Sequence, residues 1–162
     1  MTALRWLLRI VVGVIALATL LFFAARLHDG PFGPIPGGPL AAGVEVTEPV
    51  VDWSFVKDVE EIELQLLSQG RSRTTWILAF DGQAYVPCSL GFPPGKTWHR
   101  DAAMDGRAVL RIGGKRYPVL LVKLDDADVQ RLADSVRSEV TRKYGRAPPG
   151  DAGVWLFRVT SR

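Results

Sequence analysis

Residues 71–89 read RSRTTWILAFDGQAYVPCS, two runs rich in β-branched and aromatic side chains on either side of Asp81-Gly82. Asp-Gly suits a two-residue turn in which both positions take positive φ, so residues 74–80 and 84–88 predict an antiparallel hairpin. The same pattern repeats around it. Upstream, residues 61–66 (EIELQL) alternate apolar and polar with period two, as a half-buried strand does. Downstream, residues 108–112 and 115–124 flank Gly113-Gly114 and predict a second hairpin. Pro118 removes a backbone donor from the latter strand, which implies an edge or a bulge there.

Near the end, Val129, Leu132, Ala133, Val136, Val140 and Tyr144 fall at helical spacing. Asp125 and Asp126 at the start, Arg142 and Lys143 at the finish, and Gly145 beyond complement a helix dipole and supply a stop. Residues 154–160 predict a last strand. Five to seven strands with one late helix do not alternate as βαβ units do. The pattern predicts a mainly β (α+β) fold, a small antiparallel sheet closed into a barrel with one C-terminal-region helix.

The N-terminal part obeys a different rule. Residues 10–25 (IVVGVIALATLLFFAA) contain no charge, and Trp6, Leu7 and Leu8 extend the run across Arg9. The twenty residues 6–25 give about 30 Å of helix, enough to cross a hydrocarbon core, and Arg9 can snorkel to the headgroups. Phe23 stands at an unfavourable position for cleavage after Ala25, so the segment predicts a retained anchor rather than a removed signal peptide. Residues 1–28 are therefore expected to be a single transmembrane anchor. Arg5, Arg9 and the terminal amine on one flank outweigh Arg26 on the other, which places the N-terminus in the cytoplasm and the domain on the periplasmic or extracellular side. Residues 29–44, with four prolines and five glycines, predict a semi-extended spacer. Phe32, Ile35 and Leu40 within it suggest that part of the spacer packs on the domain, which occupies residues 45–162.

The pI of 9.3 invites a nucleic-acid partner. Three of the twenty basic residues flank the anchor, however, and all seventeen acidic ones lie at Asp29 or beyond. The domain is thus formally neutral, which removes whole-domain electrostatics as an argument for phosphate-backbone binding. Cys88 is the only cysteine, so no intramolecular disulfide forms, and its residue type predicts a small buried hydrophobe. His28 and His99 have no metal-ligand spacing with Cys88 or with carboxylates, so no metal site is predicted.

Charge is nevertheless uneven inside the domain. Residues 45–63 hold seven acidic groups and one basic, whereas residues 71–116 hold eight basic and three acidic. Arg71, Arg73, Thr74 and Thr75 bring two guanidinium groups and two hydroxyls to one strand, a donor set that suits a phosphate. Lys96, Trp98 and His99 add further donors and an indole. Solvated loop charges around a core tryptophan would give the same pattern.

Residues 70–86 (GRSRTTWILAFDGQAYV) and 96–119 (KTWHRDAAMDGRAVLRIGGKRYPV), within a stretch from 59 to 126, resemble the flavin and deazaflavin split barrels related to pyridoxamine-phosphate oxidase. The likeness is nearest the deazaflavin-dependent nitroreductase-like branch. The resemblance implies flavin mononucleotide or a deazaflavin as cofactor, with Arg71, Arg73, Thr74 and Thr75 at its phosphate and Lys96, Trp98 and His99 towards its ring or tail. His99 would then be the catalytic group, with it or a backbone amide supporting charge on the reduced ring of an oxidoreductase whose anchor brings it near quinone-like substrates. It also implies a homodimer. The alternative is a non-catalytic accessory module of a cell-envelope complex, keeping the fold without a cofactor.

Overall fold

The computed structural model describes residues 2–91, 93–145 and 153–162. Helix α1 (Thr2–Leu27) precedes β1 (Val44–Glu45), β2 (Glu61–Leu66), β3 (Arg71–Trp76), β4 (Leu78–Phe80) and β5 (Gln83–Ser89). Then come α2 (Trp98–Met104), β6 (Arg107–Ile112), β7 (Lys115–Lys123), α3 (Asp126–Tyr144) and β8 (Val154–Ser161). One sheet runs in the order β3-β2-β6-β7-β8-β5-β4, with β1 added in parallel beside β7. The other pairings are antiparallel. The two ends of this path, β3 and β4, are neighbours in the chain, separated only by Ile77. One bent strand therefore closes the sheet, β3 holding to β2 while β4 holds to β5. The domain is a mainly β, antiparallel split barrel with one helix in its C-terminal region, as the sequence predicts.

Residues 74–80 are not the single strand that their composition suggests. At Ile77 both backbone groups leave the ladder: its N–H donates to Glu60 O at 3.4 Å, and its C=O accepts from Lys143 Nζ at 2.8 Å. Beyond this bend β4 pairs only through residues 78–80, so the far half of β5 has no strand on that side. Pro87 stands in that half, where the loss of a donor is tolerated. A wedge opens between β3 and the end of β5, and α2 fills it.

Two apolar layers hold the barrel. Inside, Ile62, Leu64, Leu66, Val86, Leu110, Val119, Phe157 and Val159 form the core, closed at the wedge by Trp98 and Ala102 of α2. Outside, Leu78, Tyr85, Leu124 and Leu156 receive Val140 of α3, with Val129, Leu132 and Val136 half-buried beside it. Helix α3 starts where Asp125 accepts from Asp128 N at 2.7 Å and stops at Gly145, whose φ is 64°. Pro118 lies in a strand paired on both sides. Its carbonyl accepts from Arg162 N at 3.1 Å, so its missing donor also faces β8, at the point where that strand ends and β1 takes over the edge.

Residues 29–44 lie along the barrel as a strap. Gly37 bridges Ser72, the Ser72 hydroxyl donates to Gly38 O at 2.6 Å, and Leu40 N donates to Gln65 Oε1 at 2.8 Å. The Asp29 carboxylate accepts from the Ala41 and Ala42 amides and from Arg111, which also pairs with Glu63. The strap reaches the end of α1 as well, through Gly38 N to His28 O at 3.0 Å. Glycine is required at this fold-back, because a Cβ on Gly37 would lie 1.7 Å from Gly30 O. Phe32, at 62% exposure, is left outside the packing.

Cys88 is 3% exposed within the barrel core. Burial pushes its thiol up to about 11, against the pull of Lys96 and Arg73. The unfolded chain then loses this proton from about pH 9 while the folded chain keeps it, so stability should fall as pH rises between 9 and 11. Urea midpoints across that range should decline less steeply for Cys88→Ala than for the parent. A residual slope should remain from Tyr85 and Tyr144, whose hydroxyls burial also raises.

Candidate functional site

The wedge between β3 and β5 gathers most of the residues that the sequence marks out. Register explains which ones. Leu64 and Leu66 face the barrel interior, and their cross-strand partners are Arg73 and Arg71, so both guanidinium groups start from the interior face. Arg73 reaches under α2, its Nη2 donating to Gln69 Oε1 and its Cζ lying 5.3 Å from the centre of the Trp98 ring. Gln69 in turn donates to Asp101 of α2 at 2.5 Å. Burial, then the neighbouring Arg71, bring the Arg73 guanidinium down to about 10, with Asp101 opposing them. It remains a cation at neutral pH.

Trp98 is 7% exposed, with its ring 5.8 Å from that of Phe157. His99 meets the edge of Trp155 at 5.0 Å, and Lys123 Nζ sits 4.0 Å from the same indole. Burial first, and then Arg100 and Lys96, hold the His99 imidazole below its usual value, so it is neutral at pH 7. Lys96 Nζ donates to Ser89 O on the β5 lip. Thus Arg71, Arg73, Lys96, Trp98 and His99 come together at the wedge.

The two threonines do not join them. Thr74 lies on the opposite face of β3, where its hydroxyl donates to Gly33 O of the strap at 3.2 Å. Thr75 shares a face with Arg73 but stands opposite Ile62, towards the closed end at Ile77. Period-two alternation separates residues 71, 73 and 75 from 72, 74 and 76, so the sequence itself contains this distinction. Gln69, Ser89, Asp101, Trp155 and Lys123 are additional members. Ser89 and Asp101 fall inside stretches that the sequence reading quotes, and Lys123 and Trp155 inside its predicted strands, but none of the five is marked there as a site residue.

The wedge also collects unmet hydrogen-bonding capacity. Among the described residues, the buried side-chain polar atoms with no partner are Arg71 Nε, Arg73 Nε, Ser89 Oγ and His99 Nδ1, and all four belong to residues bordering it. Leaving such atoms unpaired in a protein interior costs roughly 1–3 kcal/mol each, more for a charged group. Two guanidinium N–H groups on one face of β3 make a donor pair for an oxyanion, so the phosphate of a flavin mononucleotide fits Arg71 and Arg73. Trp98 and Arg73 lie against each other between β3 and α2, and two grooves lie away from them. One, about 390 Å³, is lined by Val50, Trp53, Arg158 and their neighbours; the other, about 350 Å³, by Glu60, Glu61, Trp76, Lys143 and Tyr144.

No protein-family model and no curated protein matches the sequence. Solved structures with a similar chain path include a Listeria innocua protein described as a pyridoxamine 5′-phosphate oxidase, at 10% identity and a TM-score of 0.43, covering 67% of this chain and 89% of that one. A NimC/NimA family protein from Clostridium acetobutylicum is similar at 12% identity and a TM-score of 0.43, covering 65% of this chain and 76% of that one. Neither likeness is great enough to assign a ligand or an activity.

Proposed function

We propose that this is a membrane-anchored split-barrel domain that binds a phosphate-bearing small molecule at the β3–β5 wedge, with flavin mononucleotide or a deazaflavin as the leading candidate. The observation behind this reading is the pair of orphaned guanidinium donors, Arg71 Nε and Arg73 Nε, on one face of β3 beside the gap in the barrel. In it α1 spans the bilayer with its N-terminus in the cytoplasm, and the domain works on the opposite side, close to lipid-soluble substrates. When bound, a flavin would supply hydride or electron transfer. The chain's own residues would hold the phosphate through Arg71 and Arg73. His99, neutral and with Nδ1 unengaged, would offer a hydrogen bond to the reacting end, and a second copy of the chain would cover the mouth of the wedge.

Titrating the detergent-solubilised full chain with flavin mononucleotide, read by flavin fluorescence and visible absorption, tests the proposal. Inorganic phosphate should compete. Arg73→Gln should weaken binding roughly 10- to 100-fold, the worth of one charge-assisted hydrogen bond. Arg71→Gln, at a half-exposed position, should weaken it by a smaller factor while leaving the melting temperature unchanged. Absence of affinity for both flavin and phosphate would sink the proposal.

One observation favours a second reading, a cofactor-free accessory module: the wedge is already filled by the Arg73–Trp98 and His99–Trp155–Lys123 contacts. On that reading neither ligand binds, and Arg73→Gln changes stability instead.

A further inference from the structure

The end of α1 and the strap together present an apolar tip that the barrel does not cover. Phe32 and Ile35 pair with each other through reciprocal backbone hydrogen bonds of 3.0 Å, making a tight hairpin with Gly33-Pro34 at its turn. Gly33 takes φ 57° there. The Thr74 hydroxyl fixes Gly33 O to the barrel at 3.2 Å, so the tip is held rather than free. Phe32 is 62% exposed and Leu27 90% exposed, and Pro34 at the turn is exposed as well.

This tip lies beside the exit of the apolar helix. The His28 ring meets the Phe32 ring edge-on at 6.0 Å, and His28 is the residue that follows α1. Ala25, at the end of the uncharged run, is 5% exposed, so the last turn of α1 is packed against the strap rather than separated from it. If the run ends at the hydrocarbon boundary, Leu27 stands about 3 Å beyond it at 1.5 Å per residue. The adjoining hairpin then falls in the headgroup layer, which is several ångströms deep on each side. Electrostatics allows this placement. Asp29, the nearest carboxylate, is engaged by the Ala41 and Ala42 amides and Arg111, and Arg26 offers a cation to lipid phosphates.

We propose that the hairpin at residues 31–35 is a second, interfacial membrane contact, in which Phe32 inserts at the headgroup boundary of the leaflet that α1 leaves. The domain then rests on the bilayer at a fixed height and orientation instead of hanging from a loose tether. The inference rests on α1 being a membrane span, and its occupant is lipid. It explains why a phenylalanine and a proline are held exposed on a hairpin that is fastened to the barrel.

The test uses the full chain with Cys88→Ala and one cysteine introduced at Leu17, Phe32 or Val51, each nitroxide-labelled in phosphatidylcholine–phosphatidylglycerol vesicles. Collision rates with oxygen, which concentrates in lipid, and with a nickel chelate, which stays in water, report depth. Position 17 should read deep in the bilayer and position 51, at 86% exposure, should read as water. Position 32 should show an oxygen-to-nickel ratio several-fold above that of position 51. A ratio at 32 equal to that at 51, with 17 deep, would overturn the hairpin contact and leave the anchor standing. A water-like value at 17 would overturn the span, and the hairpin inference with it.

Discussion

Lys143→Ala is expected to destabilise the barrel by about 3 kcal/mol, a large share of the 5–15 kcal/mol typical of a small domain. The lysine side chain is 2% exposed, and its Nζ donates to Ile77 O at 2.8 Å and Val56 O at 3.1 Å. Ile77 is where the strand bends, so its carbonyl has no ladder partner, and the Tyr144 hydroxyl at 3.3 Å is a weaker substitute. Removing the ammonium leaves Ile77 O with only the Tyr144 hydroxyl and Val56 O with only the Val59 amide, at roughly 1–3 kcal/mol for the pair, and removing the stem leaves a cavity. Part of this is offset, because the buried charge itself is unfavourable. Burial is the first cause holding the Lys143 ammonium below its usual value, with Glu139 opposing it. Lys143→Met keeps the volume and loses only the donors, so about 1–2 kcal/mol should remain. Urea unfolding of the parent and both variants measures the series. Equal midpoints for Ala and parent would mean that the bend at Ile77 does not depend on α3.

That dependence explains what could and could not be read in advance. The hairpins were legible because Asp81-Gly82 and Gly113-Gly114 set both register and turn, with φ of 53° and 71° at the first and 55° and 76° at the second. Helix α3 was legible from its caps and its apolar spacing. The break at Ile77 was not, since Trp76-Ile77-Leu78 is an unbroken apolar run and the group that splits it lies 66 residues away. β1 escaped for a related reason: two residues paired in parallel with β7 leave no periodic trace.

The candidate site divides in the same way. Arg71, Arg73, Trp98 and His99 share the wedge because strand alternation and a short helix put them there, and both patterns are local. Thr74 is lost to the strap by that same alternation. Gln69 and Asp101, which join Arg73 to α2, are 32 residues apart, and Trp155 enters only through the pairing of β8 with β5. Contacts of that span follow from closure of the barrel. The strap is the clearest case: a Gly/Pro-rich stretch reads as a linker, yet side chains 25 and 82 residues distant fasten it.

Arg111→Ala should release that strap without unfolding the barrel. Arg111 lies opposite Glu63 in the β2–β6 ladder, with its side chain 14% exposed. It pairs with Glu63 and with Asp29 at 3.0 Å, and also donates to Asp29 O at 3.1 Å and Ala42 O at 3.4 Å. Removing the guanidinium leaves the Glu63 and Asp29 carboxylates without the cation that both of them meet. Losing a largely desolvated ion pair of this kind costs about 2–3 kcal/mol. The cost falls on the strap, because the core packing of β6 through Leu110 and Ile112 is unchanged. Local opening should therefore become roughly 30- to 100-fold more frequent. Chymotrypsin reads this directly, since Leu40 is 3% exposed when the strap is docked and cleavage after it requires opening. Full-length Arg111→Ala in nanodiscs should be cut there faster by about that factor while its urea midpoint moves little. A matching fall in the urea midpoint would instead make the strap part of the global fold, and the seat of α1 on the barrel would then persist for as long as the barrel itself.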